Sequence, residues 1–139
     1  MYLLDTVALS ALMKPGTAPA VEAWFAGVGL AELHVPSPAV AEIQRGITRL
    51  PEGARKAALR EAYDLLLASL LESCPAFDAE AAIVWGELMG AGDAIGRQHP
   101  IIDTQIAAIE LVHDLTIVTR NVRDFAPLGV PTVNPWETA

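Results

Sequence analysis

The sequence has little cysteine and little positive charge. Cys74 is the only cysteine among 139 residues, so no disulfide can form within the chain, and a reducing, cytoplasmic location suits it. Nine Lys and Arg stand against 17 Asp and Glu, which gives a net charge of -8. This balance argues against a protein held to nucleic acid by its overall charge, although it leaves room for a local basic patch.

Long apolar runs are also missing. The N-terminus carries no basic segment followed by a long apolar stretch, so we expect no signal peptide. The mostly apolar segment DLLLASLL, residues 64–71, is far shorter than the roughly 20 residues that a membrane-spanning helix needs, and we expect no membrane contact. The hydrophobic share of 53% is nevertheless enough for the buried core of one domain.

The order of apolar runs and helix breakers predicts one α/β domain over residues 1–139, with a mainly parallel central sheet flanked by helices. Strands are predicted at 2–4, 33–35, 115–119 and near 132–133. Helices are predicted at 6–13, 19–28, 37–50, roughly 52–72, from 78 through 88, and from 100 to 113. Ser37 is predicted to cap the third helix, with Pro38 at its first position.

Polar side chains follow two of the predicted strands. Asp5 comes directly after the first strand. An unpaired buried charge is costly there, so packing alone does not explain a carboxylate at this position. Thr119 and Asn121 stand at the end of the third strand, and ligands of parallel sheets bind beyond the carboxyl ends of the strands. Asp103 lies in the first turn of a helix, where the helix dipole favours an ionised carboxylate. These side chains are therefore candidates for one shared site.

Glu42 is a third candidate acid. It lies just off the apolar stripe of the predicted third helix, and Gly46, one turn later, leaves open space beside it. Carboxylates that are packed together repel one another, and a divalent cation removes that cost. Oxygen ligands without histidine or thiol favour Mg²⁺, with Mn²⁺ as a substitute, over zinc. A site of this kind suits the hydrolysis of phosphodiester bonds.

Five segments, MYLLDT, PAVAEIQRGI, IIDTQIAAI, VTRNVRDF and VPTVNPW, together resemble the PIN-domain family, and within it the VapC-type toxins of type II toxin–antitoxin pairs. The resemblance extends from Met1 to Trp136. It implies a Mg²⁺-dependent endoribonuclease that forms a homodimer and is inhibited by a cognate antitoxin. It also implies metal-binding acids at Asp5, Glu42 and Asp103, a fourth site position at Asn121, and the Thr119 hydroxyl in the site.

Two departures keep other functions open. Val7 stands where many similar sequences carry Asn, and Asn121 is neutral, so the site has three acids and not four. One metal ion would then be held firmly and a second weakly or not at all. Asp124 could compensate, but its position three residues after Asn121 favours a role in holding its own loop. The alternatives are a non-catalytic PIN-like binding module and an RNA-processing nuclease outside a toxin–antitoxin pair.

Each candidate residue also has a purely structural interpretation. Asp5 suits the N-cap of the first helix, and Glu42 could pair with Arg45 or Gln44 on the surface. A basic cluster in the middle of the chain suits either a solvated helix face or a patch for RNA phosphates or an acidic antitoxin segment; it comprises Arg45, Arg49, Arg55, Lys56 and Arg60. The three tryptophans, at 24, 85 and 136, are expected in the core or in a dimer interface and not as platforms for bases.

Overall fold

A four-stranded parallel sheet forms the centre of the computed structural model, which describes residues 1–14, 16 and 18–137. Its strands are β1 (Tyr2–Leu4), β2 (Leu33–His34), β3 (Thr116–Val118) and β4 (Thr132–Val133). They lie in the order β2-β1-β3-β4, and each neighbouring pair is parallel. The α/β fold with a parallel central sheet is thus confirmed.

Seven α-helices flank the sheet within the described residues. They are α1 (Thr6–Met13), α2 (Pro19–Gly27), α3 (Ser37–Thr48), α4 (Ala54–Leu70), α5 (Ala79–Ala94), α6 (Ile101–His113) and α7 (Val122–Phe125). Of these, only α7 is absent from the sequence-based prediction. The segment KPGTAP, predicted to stop the first helix, includes Pro15 and Thr17, which lie outside the described residues. In the ranges that the structure describes, no helix has both the length and the apolar character needed to cross a bilayer.

The core lies on both faces of the two central strands. Leu3 and Leu4 of β1 and Ile117 and Val118 of β3 have no solvent exposure. Helix α6 contributes a continuous buried segment at 106–110. Since both faces of the sheet are covered, as is usual for parallel sheets, its carboxyl edge is the place where side chains from several strands and helices meet.

The predicted N-cap residue is correct for α5 and wrong for α3. Asp78 caps α5 as predicted, because its Oδ1 accepts a hydrogen bond of 3.0 Å from the Ala81 amide. The prediction that Ser37 caps α3 is wrong. Pro36 stands at the N-cap, and the Ser37 hydroxyl accepts a 2.9 Å hydrogen bond from the Phe77 amide instead. Ser37 therefore connects α3 to the segment that precedes α5.

Candidate active site

Backbone hydrogen bonds continue the sheet beyond the ends of β1 and β3. The Asp5 amide donates to the Val118 carbonyl at 3.1 Å, and the Thr119 amide donates to the Val133 carbonyl at 3.0 Å. Asp5 is only 2% exposed and Thr119 is fully buried. Both side chains are therefore held rigidly at the carboxyl edge of the sheet.

Among the described residues, the Asp5 carboxylate accepts hydrogen bonds from the Ala8 and Val7 amides and from the Thr119 hydroxyl. Its Oδ1 accepts from the Ala8 amide at 2.8 Å, so Asp5 is the N-cap of α1. The Thr119 hydroxyl donates to the same carboxylate and accepts from the Asn121 amide at 2.9 Å. Burial raises the pKa of Asp5, and these hydrogen bonds offset part of that rise. The carboxylate thus serves as a cap and also remains a costly buried charge.

Asp103 lies among other carboxylates. Its pKa is raised to about 6, first by burial and then by repulsion from Asp5, Asp124 and Glu42. A hydrogen bond between the Asp103 and Asp124 side chains raises this pKa further. The first turn of α6, the end of β1, the α3 helix and the short α7 helix therefore bring four acids within electrostatic reach of one another.

Glu42 faces this cluster from α3. The Thr6 hydroxyl donates a hydrogen bond to Glu42 Oε1. Across residues 1–14, 16 and 18–137, no atom would lie within 4 Å of a Cβ at Gly46, so the open space predicted beside Glu42 is present there. In the described part of the chain Glu42 forms no ion pair with Arg45. In that part of the chain, Glu42 therefore contacts Thr6 and does not pair with Arg45.

Two further side chains, those of Thr6 and Asp124, make contacts in the site that are not evident from the sequence. Thr6 immediately follows Asp5, and its contact with Glu42 depends on how α1 packs against α3, which adjacency along the chain does not reveal. Asp124 makes contacts that fit both of its interpretations. It contacts Asp103, and its amide also donates to the Asn121 carbonyl at 3.0 Å. Asn121 lines a cavity together with Asp124, Arg120 and Arg123.

The donor chemistry of the cluster can be compared with the needs of Mg²⁺. Within 1–14, 16 and 18–137, no group of three or more His, Cys, Asp or Glu side chains is close enough to enclose a metal ion. Mg²⁺ does not need such a cage, because it usually keeps several waters and binds one or two carboxylates. The cluster offers oxygen donors, and the mutual repulsion that raises the pKa of Asp103 is what a cation would relieve. These residues fit Mg²⁺ held by few protein oxygens.

The basic residues in the middle of the chain are divided between two roles. Lys56 forms an ion pair of 2.7 Å with Glu52 and donates to the Thr48 carbonyl, so it stabilises the turn between α3 and α4. Arg49 and Arg55 instead line a cavity of about 290 Å³ that also includes Glu42. Two residues of the basic cluster, Arg49 and Arg55, therefore lie near Glu42.

Known proteins similar to this chain carry related names. The family model described as PIN domain matches residues 2–129. The plasmid stability protein StbB of Pseudomonas syringae pv. tomato is 32% identical over 138 residues, which cover 99% of each chain. The VapC ribonuclease Y4jK of Sinorhizobium fredii is 29% identical over 140 residues, the whole of both chains. Toxin FitB of Neisseria gonorrhoeae is 28% identical over 137 residues, 98% of this chain and 99% of FitB.

A solved structure has the same architecture. The crystal structure of FitAcB from Neisseria gonorrhoeae contains a chain that superposes on this one with a TM-score of 0.90 at 28% sequence identity. The superposition covers 99% of this chain and 100% of the other. The arrangement of strands and helices is therefore common to both proteins along their entire length.

Proposed function

Because this chain belongs to the PIN-domain family, we propose that it is a Mg²⁺-dependent endoribonuclease and the toxin of a type II toxin–antitoxin pair. The observation that carries the proposal is the meeting of Asp5, Glu42, Asp103 and Asp124 at the carboxyl edge of the sheet. The names VapC ribonuclease and Toxin FitB, borne by relatives of the same length, support it. We also propose a cytoplasmic location, which the single cysteine suits.

In this proposal Asp5 and Asp103 are the main metal ligands, and Glu42 assists them directly or through water. Mn²⁺ would substitute for Mg²⁺ at such oxygen donors. When bound, the ion would lower the pKa of a water and neutralise charge on the phosphate oxygens of the RNA. Water, and not the ribose 2′-hydroxyl, would attack the phosphorus and the bond to the 3′-oxygen would break, so the products would carry 5′-phosphate and 3′-hydroxyl ends.

The remaining side chains hold the acids in place. The Thr119 hydroxyl orients the Asp5 carboxylate, while Thr6 orients Glu42. Asn121, whose backbone is tied to Thr119, would present its side-chain amide to a water or to a phosphate oxygen. Asp124 takes the place of the missing fourth acid through its contact with Asp103.

The partners follow from the charges around the site. Arg49 and Arg55 share a cavity with Glu42, and in this proposal they contact RNA phosphates near the cleaved bond. An antitoxin that covered these residues with acidic side chains would block the same surface. We also propose that the chain forms a homodimer.

The test is cleavage of labelled single-stranded RNA by the purified chain, freed of any partner, in Mg²⁺. We expect Asp5→Asn and Asp103→Asn each to abolish cleavage while the far-ultraviolet circular dichroism stays that of the folded protein. Asp78→Asn is the matched control, because Asp78 also caps a helix through its Oδ1 but does so at α5. This control should cleave as the wild type does.

Three results would contradict the proposal. Cleavage that persists in excess chelator would exclude a metal-dependent mechanism. Equal loss in Asp78→Asn would mean that the aspartates act through folding alone. A wild type that binds RNA or a protein partner but never cleaves would favour the non-catalytic binding module, for which the neutral Asn121 and the apolar Val7 are the best support.

A further inference from the structure

A cavity of about 360 Å³ lies directly beside the acidic cluster, and the proposed function makes no use of it. Its walls include Thr6, which donates to Glu42, and Ile43, which follows Glu42 on α3. Other parts of the wall come from the chain beyond β3 and beyond β4, at Arg120 and Trp136. The cavity is therefore at the same carboxyl edge of the sheet as the candidate active site.

The lining combines an aromatic ring, a planar cation and apolar side chains. The Arg120 guanidinium carbon lies 5.9 Å from the centroid of the Trp136 ring, which is within the range of a cation–π interaction. Val7 and Ile43 add apolar surface, and Lys14 adds a second cation. This combination suits a flat, uncharged ring that is attached to a negatively charged group.

Trp136 is already ordered for such a contact. Its backbone amide donates to Asn134 Oδ1 at 2.9 Å, which closes the turn after β4, and the preceding Pro135 is buried. The Trp136 side chain itself is only partly buried and packs against the edge of the core. One part of the ring is therefore anchored while another part faces the cavity, so little entropy would be lost when a ligand stacks on it.

We propose that this cavity binds the base of one unpaired nucleotide next to the phosphodiester bond that is cleaved. Proteins recognise single-stranded RNA by stacking its bases on aromatic rings or on Arg guanidinium planes. Trp136 contacts the base, and Arg120 contacts either its face or the adjoining phosphate. The proposal rests on the ribonuclease function, because it takes the acidic cluster as the place of the scissile phosphate.

The size and surroundings of the cavity favour a nucleotide over a protein segment. Its volume is near the lower end of the range for small-molecule pockets, so it has room for one planar group. An RNA whose phosphate lies at the acids carries a neighbouring base that is joined to that phosphate through its ribose, so this base is within reach of the cavity, whose wall residue Thr6 contacts Glu42. A cavity that binds a base would also select for unpaired RNA, because a base inside a duplex is already stacked on its neighbours.

The test compares RNAs that lack single bases. Asp5→Asn protein in Mg²⁺ is titrated into a short labelled single-stranded RNA, and into copies in which one nucleotide at a time is abasic, with binding followed by fluorescence anisotropy. We expect one abasic position to weaken binding about 10-fold, the usual scale for one stacked base. In the Asp5→Asn background, Trp136→Ala should weaken binding of the intact RNA similarly and abolish the additional effect of the abasic position.

Further variants separate stacking from folding. Trp136→Phe should restore most of the affinity, since a smaller aromatic ring still stacks. Arg120 is exposed, so it can be changed to Ala without disturbing the core. Trp24→Phe is the matched control, because Trp24 packs on Tyr2 and Phe25 with centroid distances of 5.0 and 5.3 Å, away from the cavity. It should leave the abasic effect intact.

The outcomes separate this inference from the ribonuclease proposal. If the wild type cleaves RNA but every Trp136 and Arg120 variant keeps the abasic effect, the inference is overturned and the ribonuclease proposal stands. If the wild type never cleaves yet one abasic position still acts through Trp136, the base site stands and the ribonuclease proposal fails. If Trp136→Ala changes the molecular mass in light scattering but not RNA binding, the cavity is a protein contact and the inference is overturned.

Discussion

The Asp5 carboxylate combines a structural contribution with a cost. Through Oδ1 it caps α1, a contact that stabilises proteins by about 1 kcal/mol. Its burial beside Glu42 and Asp103 acts in the opposite direction, because burial and repulsion both disfavour the ionised form. The two contributions can be separated, since an amide can accept the same capping hydrogen bond without a charge.

We predict that Asp5→Asn raises the melting temperature of the metal-free protein, by an amount equivalent to ~1 kcal/mol. Asn caps a helix about as well as Asp does, so the change removes the buried charge and keeps the cap. Asp5→Ala should be less stable than Asp5→Asn by about 1 kcal/mol, because it loses the cap as well. Thermal melts followed by circular dichroism measure both differences.

The same melts in Mg²⁺ test the role of Asp5 as a ligand. A ligand stabilises a protein in proportion to its affinity for the folded state, so Asp5→Asn should gain less from Mg²⁺ than the wild type gains. If Asp5→Asn melts at the wild-type temperature with and without Mg²⁺, the carboxylate is only a cap.

Glu110 is a second buried acid, and it lies outside the candidate site. It is 2% exposed on α6, and its Oε2 has no hydrogen-bond partner among the described residues. Burial, followed by repulsion from Asp114, raises the pKa of Glu110 from 4.5 to about 7. The folded protein therefore binds a proton at Glu110 over a range of pH in which the unfolded chain has released it.

This raised pKa predicts how stability depends on pH. The stabilising contribution of protonated Glu110 is complete below pH 4.5 and is lost as the pH rises through about 7. The loss amounts to at most about 3 kcal/mol. In Glu110→Gln the free energy of unfolding should fall less between pH 5 and pH 8, as urea titrations at several pH values would measure.

The exposed Glu87 on α5 provides the control for this experiment. Glu87→Gln should follow the wild type at every pH. A difference between wild type and Glu110→Gln that stays constant from pH 5 to pH 8 would mean that Glu110 titrates normally in the folded protein.

At the scale of elements, the connection between α5 and α6 depends on a close approach at Gly92. The Arg97 amide donates to the Gly92 carbonyl at 2.8 Å, which folds the chain back after α5. A Cβ on Gly92 would lie 2.7 Å from His99 Cδ2 and 2.8 Å from the Arg97 carbonyl oxygen. Since one of these atoms belongs to the backbone, the loop would have to move to accept a side chain.

We therefore predict that Gly92→Ala destabilises the protein by about 1–3 kcal/mol, the usual cost of overpacking. Gly90→Ala, two residues earlier in α5, is the matched control. In the part of the chain that the structure describes, a Cβ there meets nothing within 4 Å, so the better helix propensity of Ala should stabilise by roughly 0.5–1 kcal/mol. Urea unfolding compares the two; equal effects of both changes would contradict the close contact at Gly92.

The elements also differ in how far the sequence predicts them. The bounds of β1 and α1 are predicted to the residue, because an apolar run and a capping Asp mark them. Helix α7 is not predicted, since four residues are too few for an apolar period to emerge. Ser37 is mispredicted because a serine before a proline usually caps, whereas here its hydroxyl accepts from Phe77, 40 residues away.

The candidate site follows the same division. Asp5 and Asp103 are predictable because strand ends and helix starts can be located from local patterns. The contact of Thr6 with Glu42 and that of Asp124 with Asp103 join elements that are distant in sequence, so only the packed structure reveals them. Local patterns thus identify the charged groups, and tertiary packing decides which of them interact.

For the whole molecule, the apolar surface is the feature that remains to be explained. The mean hydropathy of +0.37 is high for a small domain, and large apolar side chains are exposed on several helices. Leu65 on α4 is 68% exposed and Ile83 on α5 is 65% exposed. Contiguous apolar surface usually marks an interface between proteins, and we expect some of these side chains to belong to one.

We predict a homodimer in which the helices on either side of Pro51, α3 and α4, supply much of the interface. Light scattering at micromolar concentration should then give about twice the chain mass of 14.7 kDa. Leu65→Glu should convert the dimer to a monomer, because it places a charge in the contact, whereas Ile83→Glu should leave the dimer intact. Both side chains are exposed in the single chain, so neither change disturbs the core. A monomeric wild type would exclude the homodimer, and dissociation by Ile83→Glu alone would move the interface from α4 to α5.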